Sequence, residues 1–434
     1  MRVLFYAYPG LMSQGPHFTD GHATILARMM AGLVEAREVA CHLVAPSRSA
    51  PAVQRVAPSL RNVAYVDDVD LHRRIAGLDA NSAVPTVLCR QARSREATTY
   101  PAVQVLMQYI ARACGDFAPD VVITFSMQAD YLGALWPAVT VFHCEATGFS
   151  RSPFPFSLFF DHMGTYDRAA TAVLVENDLE VSSGALALAH QVRDDARAAF
   201  ESADPFRELD IGSGFSKTVL LPLGVSNFYS FDDFVPYRSQ FEFLFDVLRA
   251  APRDVAIVVT EYNDWGQVLH RTGPAANERW LRSSFPNLIF HETFRHYSTP
   301  SPYLLRYVHG AISVVSNVGL QALLLGLRLG CTKQSPLRMV AHDVGFDQFF
   351  SSIAGTDPPP DRSRWLAWYL ERYAVPATVF NDGHAFSDYL QRRIQDLSEE
   401  KVANRFSAVA PISVLHGHWA FRADASGAAK QVSY

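Results

Sequence analysis

Glu145, Gly148, Arg151, Ser152, Asp161 and Asp167 lie within the short span 145–167, directly after an apolar run. A carboxylate there can move a proton, a glycine permits the turn, and an arginine fork can hold a carboxylate or phosphate with two bonds. The alternative is a plain Glu145–Arg151 ion pair across a loop. A second carboxylate pair, Asp232-Asp233, precedes an apolar-periodic stretch over 234–249. One aspartate caps a helix there adequately, leaving the other for chemistry. Third comes Ser316-Asn317-Val318-Gly319, just after the apolar run 312–315. A strand-to-helix junction of this composition can expose backbone N–H groups to a phosphate, although an ordinary cap with close packing at Gly319 uses the same residues. Two carboxylates and a phosphate site suit transfer of a glycosyl group from a nucleotide-activated donor. One carboxylate attacks the anomeric carbon or stabilises its charge, and another deprotonates the incoming hydroxyl.

The elements that must position these residues are short β-rich runs at 3–8, 40–45, 121–125, 139–142, 218–221, 255–260, 288–290 and 312–315. Helical periodicity fits between them at 24–35, 101–114, 179–200, 234–249 and 318–325. Continuous apolar strands alternating with helices predict an α/β fold with parallel sheets covered on both faces. The runs form two sets split by the polar stretch 201–216, which predicts two domains and a cleft at the carboxyl ends of both sheets. Glu145 is then expected just past the end of the strand 139–142. The expected divisions are 1–215, 216–390 and a C-terminal helix and tail at 391–434. Helices built around Trp365, Trp368 and Tyr369 could return over the first domain.

At 434 residues the chain is long enough for two cores. Its 49% hydrophobic and 19% charged content describes a globular protein, and no apolar run is long enough for a membrane span. The start reads as a first strand of a cytoplasmic protein, without the longer apolar region of a signal peptide. Five scattered cysteines without CxxC spacing argue against a disulfide framework or structural zinc. A formal charge of −5 argues against nucleic acid as a partner. The lysines are only Lys217, Lys333, Lys401 and Lys430, so anion contacts fall to arginine.

Several motifs drop out. Asp67-Asp68-Val69-Asp70 contains a DxD, but it reads better as a solvated helix start. Neither GxGxxG after the first strand nor GxxxxGK[ST] is present, which sets aside dehydrogenases and P-loop enzymes. Gly212-Ser213-Gly214 is expected to be a loop, not a nucleophile elbow. His416 and His418 are expected in a surface loop, without a metal.

Taken together, the run Glu-x-x-Gly-Phe-x-Arg-Ser from Glu145 and Pro-x-Ser-Leu-x-x-Asp-x-x-Gly-x-Tyr from Pro155 resemble the retaining β-Kdo glycosyltransferases of bacterial capsule and O-antigen synthesis, the KpsC and WbbB types. Ser230-Phe231-Asp232-Asp233 falls where that family places its nucleophilic aspartate, with Asp233 in the best register. Ser316 through Gly326 is similar to its Ser-x-x-Gly-x-Glu-Ala-Leu-Leu-x-Gly element, with Gln321 in place of glutamate. A second departure is Tyr262-Asn263, where many relatives carry His-Pro after the strand 255–260.

The resemblance implies a GT-B-like pair of Rossmann-type domains, CMP-β-Kdo as donor substrate, no other cofactor and no metal. It implies double displacement, with Asp233 (or Asp232) as nucleophile and Glu145 assisting the acceptor hydroxyl. Arg151, Ser152, Thr260, Tyr262, Ser316, Asn317 and Gly319 are then the expected donor-binding residues. The implied acceptor is a glycan or lipid-linked glycan, met at the cytoplasmic face of the inner membrane by a peripheral enzyme. Two alternatives stay open: a GT-B enzyme using a UDP-, GDP- or dTDP-sugar, and a non-catalytic glycan-binding scaffold on the same fold.

Overall fold

The computed structural model describes residues 1–10, 16–36, 39–151, 153–224, 234–261, 275–297 and 299–421. In chain order the strands are β1 (Arg2–Tyr6), β2 (Ala40–Pro46), β3 (Val63–Val66), β4 (Val121–Phe125), β5 (Thr140–Ala146), β6 (Ser157–Asp161), β7 (Lys217–Pro222), β8 (Val255–Thr260), β9 (Leu288–Ile289), β10 (Gly310–Ile312), β11 (Arg328–Cys331), β12 (Asp343–Val344) and β13 (Val375–Pro376).

They form two sheets. The first has the order β13-β6-β5-β4-β1-β2-β3, and the second β12-β11-β10-β7-β8-β9. Every pairing in the second sheet is parallel. In the first, β3 through β5 are parallel, while β6 and β13 add antiparallel pairings at one edge. Counted from its own first strand, each sheet reverses direction between its first and fourth strands. That is the Rossmann order, and it opens a crevice at the carboxyl ends. The fold is the expected α/β pair of Rossmann-type, GT-B-like units.

Side-chain alternation explains why both faces of each sheet are covered. Val3 and Phe5 of β1 enter one apolar cluster, and Leu4 and Tyr6 enter another with Val103, Leu106 and Ile110 of the helix Pro101–Cys114. In the second sheet Val219, Leu221, Ile257 and Val259 pack against Phe243, Leu244 and Val247 of the helix Gln240–Ala250. Their neighbours Leu220 and Val258 join the same cluster as Val3 and Phe5. The two sheets therefore share one continuous core, where the sequence suggested one core for each.

The expected boundary at 390 is not where the chain changes sheets. β13 pairs Val375 with Leu158 and Pro376 with Ser157, so the C-terminal segment has already returned to the first sheet. The helix Gly383–Asp396 then crosses the helix Pro16–Glu35 at two glycines. A Cβ on Gly383 would lie 2.0 Å from the Gly32 carbonyl oxygen, an approach only glycine allows.

The motifs set aside behave as ordinary structure. Asp67 caps the helix Asp68–Leu78 by accepting from the N–H groups of Val69 and Asp70. His416 and His418 stand on a short helix, Ile412–His418, rather than in a loop. His418 Nδ1 is 2.6 Å from the Thr378 hydroxyl, and His416 bonds Gln191. Among the described residues no cluster of three or more His, Cys, Asp or Glu is placed to hold a metal ion, and no helix is long and apolar enough to cross a membrane.

Candidate active site

Glu145 lies inside β5, not beyond it. The pairing of Glu145 with Phe159 in β6 carries the strand to Ala146, past the apolar run that the sequence displays. Its carboxylate accepts the Ala146 N–H at 2.8 Å and the hydroxyl of Ser126. Ser126 follows the carboxyl end of β4 and holds a left-handed φ of 61°, unusual for a residue with a side chain. Burial raises the Glu145 pKa above the ordinary carboxylate range, opposed by the Ser126 hydroxyl, the Ala146 N–H and the charge of Arg151. A raised pKa makes a better proton acceptor near neutral pH.

The following loop is stapled by its own polar side chains. Thr147 Oγ1 accepts the Phe149 N–H at 3.1 Å, and Ser150 Oγ donates to the Thr147 carbonyl at 2.8 Å. Gly148 is clamped on both sides: its N–H goes to the Tyr369 hydroxyl at 3.2 Å, and its carbonyl accepts from Gln321 Nε2 at 2.9 Å. Downstream, Asp161 is buried and serves the fold. It accepts from Met163 N (2.8 Å), Ala170 N (2.6 Å) and the Tyr373 hydroxyl (2.9 Å), with a pKa pushed up to about 6 by burial.

A cavity of about 340 Å³ opens between the carboxyl ends of the two sheets. Glu145, Ser126, Arg151 and His22 line it from the first sheet's side, and Glu261, Ser316 and Asn317 from the second. Burial pushes the His22 pKa down to about 3, so its ring is neutral. Glu261 is buried and ion-paired with Arg295 at 3.5 Å.

Not every expected donor residue reaches this cavity. Thr260 is buried with its hydroxyl 2.7 Å from that of Ser301, and Ser301 is the residue that lines the cavity. Gly319 is a packing position, where a Cβ would sit 2.9 Å from Leu337 Cδ1 and 3.1 Å from Ser313 Cβ. The expected cradle of backbone N–H groups is spent internally. Val318 N donates to Ser316 Oγ (3.3 Å) and Gly319 N to the Ser316 carbonyl (3.0 Å), while Leu320 N and Gln321 N go to the Asn317 carbonyl at 3.1 and 3.2 Å. What remains for a ligand is the Ser316 and Asn317 side chains, and Asn317 makes no capping bond. Asp232, Asp233, Ser152 and Tyr262 lie outside the described residues.

Sequence reasoning passed over Ser126, His22, Gln240 and Tyr373, and gave no site role to Tyr166 or Tyr369, yet all six line the cavity. Ser126 had a signal, since it directly follows a strand at the end where such folds bind ligands. Tyr166 closes the motif that begins at Pro155, whereas Tyr369 and Tyr373 had only the aromatic density around Trp365.

No protein-family model matches the chain, and no curated protein matches it in sequence. Among solved structures it is similar to a β-Kdo 2,7 transferase, KpsC of Thermosulfurimonas dismutans, at 17% identity over 64% of this chain and 90% of that one, TM-score 0.36. It is also similar to the N-terminal domain of a Candida albicans trehalose-6-phosphate phosphatase, at 12% identity over 84% and 91%, TM-score 0.40. A third is a UDP-GlcNAc 2-epimerase from Neisseria meningitidis bound to UDP-GlcNAc, at 13% identity over 91% and 100%, TM-score 0.35.

Proposed function

We propose that the chain is a glycosyltransferase, and specifically a retaining enzyme that moves β-Kdo from CMP-β-Kdo to a glycan acceptor of a bacterial surface polysaccharide. The observation that supports it best is the shared cavity, which brings a carboxylate with a raised pKa, an arginine and the Ser316-Asn317 pair together between two Rossmann-type sheets. The motif resemblance supplies the rest of the reading. Asp233, with Asp232 as its neighbour, attacks the anomeric carbon, and the bond to the CMP phosphate breaks with its electron pair leaving on CMP. Glu145 then takes the proton of the acceptor hydroxyl, whose oxygen displaces the aspartate, so two inversions retain configuration. Arg151 is assigned to the donor's carboxylate or phosphate. No step calls on a metal. A lipid-linked acceptor would place the enzyme peripherally at the inner face of the inner membrane.

Intact mass after incubation with CMP-Kdo tests donor, nucleophile and mechanism together, because a trapped adduct adds one sugar. Undiminished transfer by the Asp232→Ala, Asp233→Ala double variant would end this proposal. A GT-B transferase using a UDP-, GDP- or dTDP-sugar is the second reading, favoured by Tyr262-Asn263 standing where many of the CMP-Kdo enzymes carry His-Pro. Stabilisation by one of those nucleotides but not by CMP, read by thermal shift, would select it.

A further inference from the structure

The turn Tyr166–Arg168 contributes to two cavities. Tyr166 lines the one that holds Glu145, whereas Asp167 and Arg168 line a second, of about 450 Å³. Arg90 and Arg93, from the last turn of the helix Pro85–Arg93, line the second cavity too, with Tyr100 and Phe234. Phe234 belongs to the apolar cluster of the second sheet, and its ring lies 5.6 Å from that of Tyr166. The second cavity, like the first, therefore takes its wall from the units of both sheets.

That wall contains three arginines and one acidic residue, Asp167. Asp130 pairs with Arg168 from outside the wall, and even with it the cations lead three to two, in a chain whose formal charge is −5. Complementing the helix dipole accounts for Arg90 and Arg93, which stand three positions apart and so on one helix face. It does not account for Arg168, which arrives from a different element. The Arg168 guanidinium is fixed in place: Nη1 donates to Asp130 Oδ2 at 2.8 Å and Nη2 to the Arg93 carbonyl at 2.7 Å. Asp130 is itself held by Gln128 Nε2 at 2.8 Å. A guanidinium carries five N–H groups, so two bonds leave it capacity for a ligand, and a fork already ordered loses little entropy when an anion arrives. Arg90 is exposed and Arg168 partly so, and both side chains can be reached from solvent. We propose that this second cavity binds an oxyanion, a carboxylate or phosphate carried by the acceptor, through Arg90, Arg93 and Arg168. The identity of the carrier as acceptor rests on the transferase reading above; the oxyanion chemistry rests on the three arginines.

Isothermal titration calorimetry of the full chain at low ionic strength tests this. The carboxylate probe is methyl β-D-glucuronopyranoside, the phosphate probe is methyl phosphate, and methyl β-D-glucopyranoside is the neutral counterpart. The expected result is saturable binding of at least one anionic probe, about tenfold or more tighter than the neutral ring and weakened by added salt. Arg90→Gln should weaken that binding about tenfold, the loss of one charge-assisted hydrogen bond, and Arg90→Glu should weaken it further. Arg151→Gln should leave it unchanged, which separates this site from the arginine of the first cavity. Thermal midpoints close to that of the unsubstituted chain report that the Arg90 variants are folded. Tighter binding of methyl phosphate assigns the site to the phosphate of a lipid carrier, and tighter binding of the glucuronide assigns it to an acidic sugar. Binding of neither anion overturns the proposal, and so does undiminished binding by Arg90→Glu. Turnover of sugar nucleotides is assayed on the same preparation. Turnover without anion binding removes this site alone, whereas Arg90-dependent binding without turnover removes the transferase reading alone.

Discussion

Gln321 Nε2 donates to the Gly148 carbonyl at 2.9 Å, joining the helix Val318–Leu324 of one sheet's domain to the loop that carries Glu145 in the other. The glutamine stands where the motif leads one to expect a glutamate, and its amide brings that carbonyl a donor that an ionised carboxylate lacks.

Gln321→Glu sets a carboxylate against the Gly148 oxygen in a buried position. It should cost about 2–4 kcal/mol at pH 8. The introduced carboxyl will have a raised pKa, so its deficit should shrink as the pH falls toward 5, because the folded form then takes up a proton. Urea denaturation at the two pH values checks both the size and the sign.

Gly148→Ala brings a Cβ within 2.6 Å of Leu320 Cδ1. The expected loss is about 1–3 kcal/mol. Leu320 Cβ is also within 2.7 Å, so Leu320→Gly is the change that should relieve the clash, and a double-mutant cycle with no favourable coupling would contradict this packing.

Glu145→Gln should lower transfer about 10²–10⁴-fold while the thermal midpoint stays within a few degrees. Ser126→Ala is the finer probe. Its hydroxyl lowers the Glu145 pKa, so its loss should move the acid limb of the pH–rate profile to higher pH.

Stability should fall on acidification below about pH 6.5, the unperturbed histidine value. Burial lowers His143 and His162 to about 4 and His22 to about 3, so each takes up its proton in the unfolded chain first. Asp161, raised to about 6 by burial, acts in the opposite direction: its contribution is complete below the unfolded carboxylate value and is lost as pH rises through 6. Glu145, also raised by burial, acts with Asp161, but the three histidines outweigh the two carboxylates, so the urea midpoint should drop between pH 6.5 and 4. Asp161→Asn should deepen that drop while lowering stability throughout, because one amide oxygen cannot accept the three bonds made by two carboxylate oxygens.

The strands β4 and β8 were legible because Val121–Phe125 and Val255–Thr260 are continuous β-rich runs buried on both faces. β6 was not, since Ser157–Asp161 follows two prolines and its antiparallel partner only becomes visible in the fold. Two residues, Val375 and Pro376, carry β13, too short for any periodicity. In the site, Glu145 was readable from its place at a strand's carboxyl end. Thr260 misled because its hydroxyl partner, Ser301, is 41 positions away, and long-range pairing of small polar side chains leaves no mark in spacing. The phosphate cradle expected at 316–319 misled differently: the same serine and asparagine that suggested free N–H groups accept from them.

The return of β13 to the edge strand β6 makes the first unit discontinuous along the chain. A fragment ending at 215 would leave Phe160 without Phe380, Phe386 and Tyr389, and the helix Pro16–Glu35 without its glycine crossing. The natural cut for dissection is therefore an excision: joining the end of the helix Ser183–Ser202 to the start of the helix Ser363–Trp368 keeps every strand of the first sheet and removes the second sheet as a contiguous insert, while uncovering the apolar core that the two sheets share.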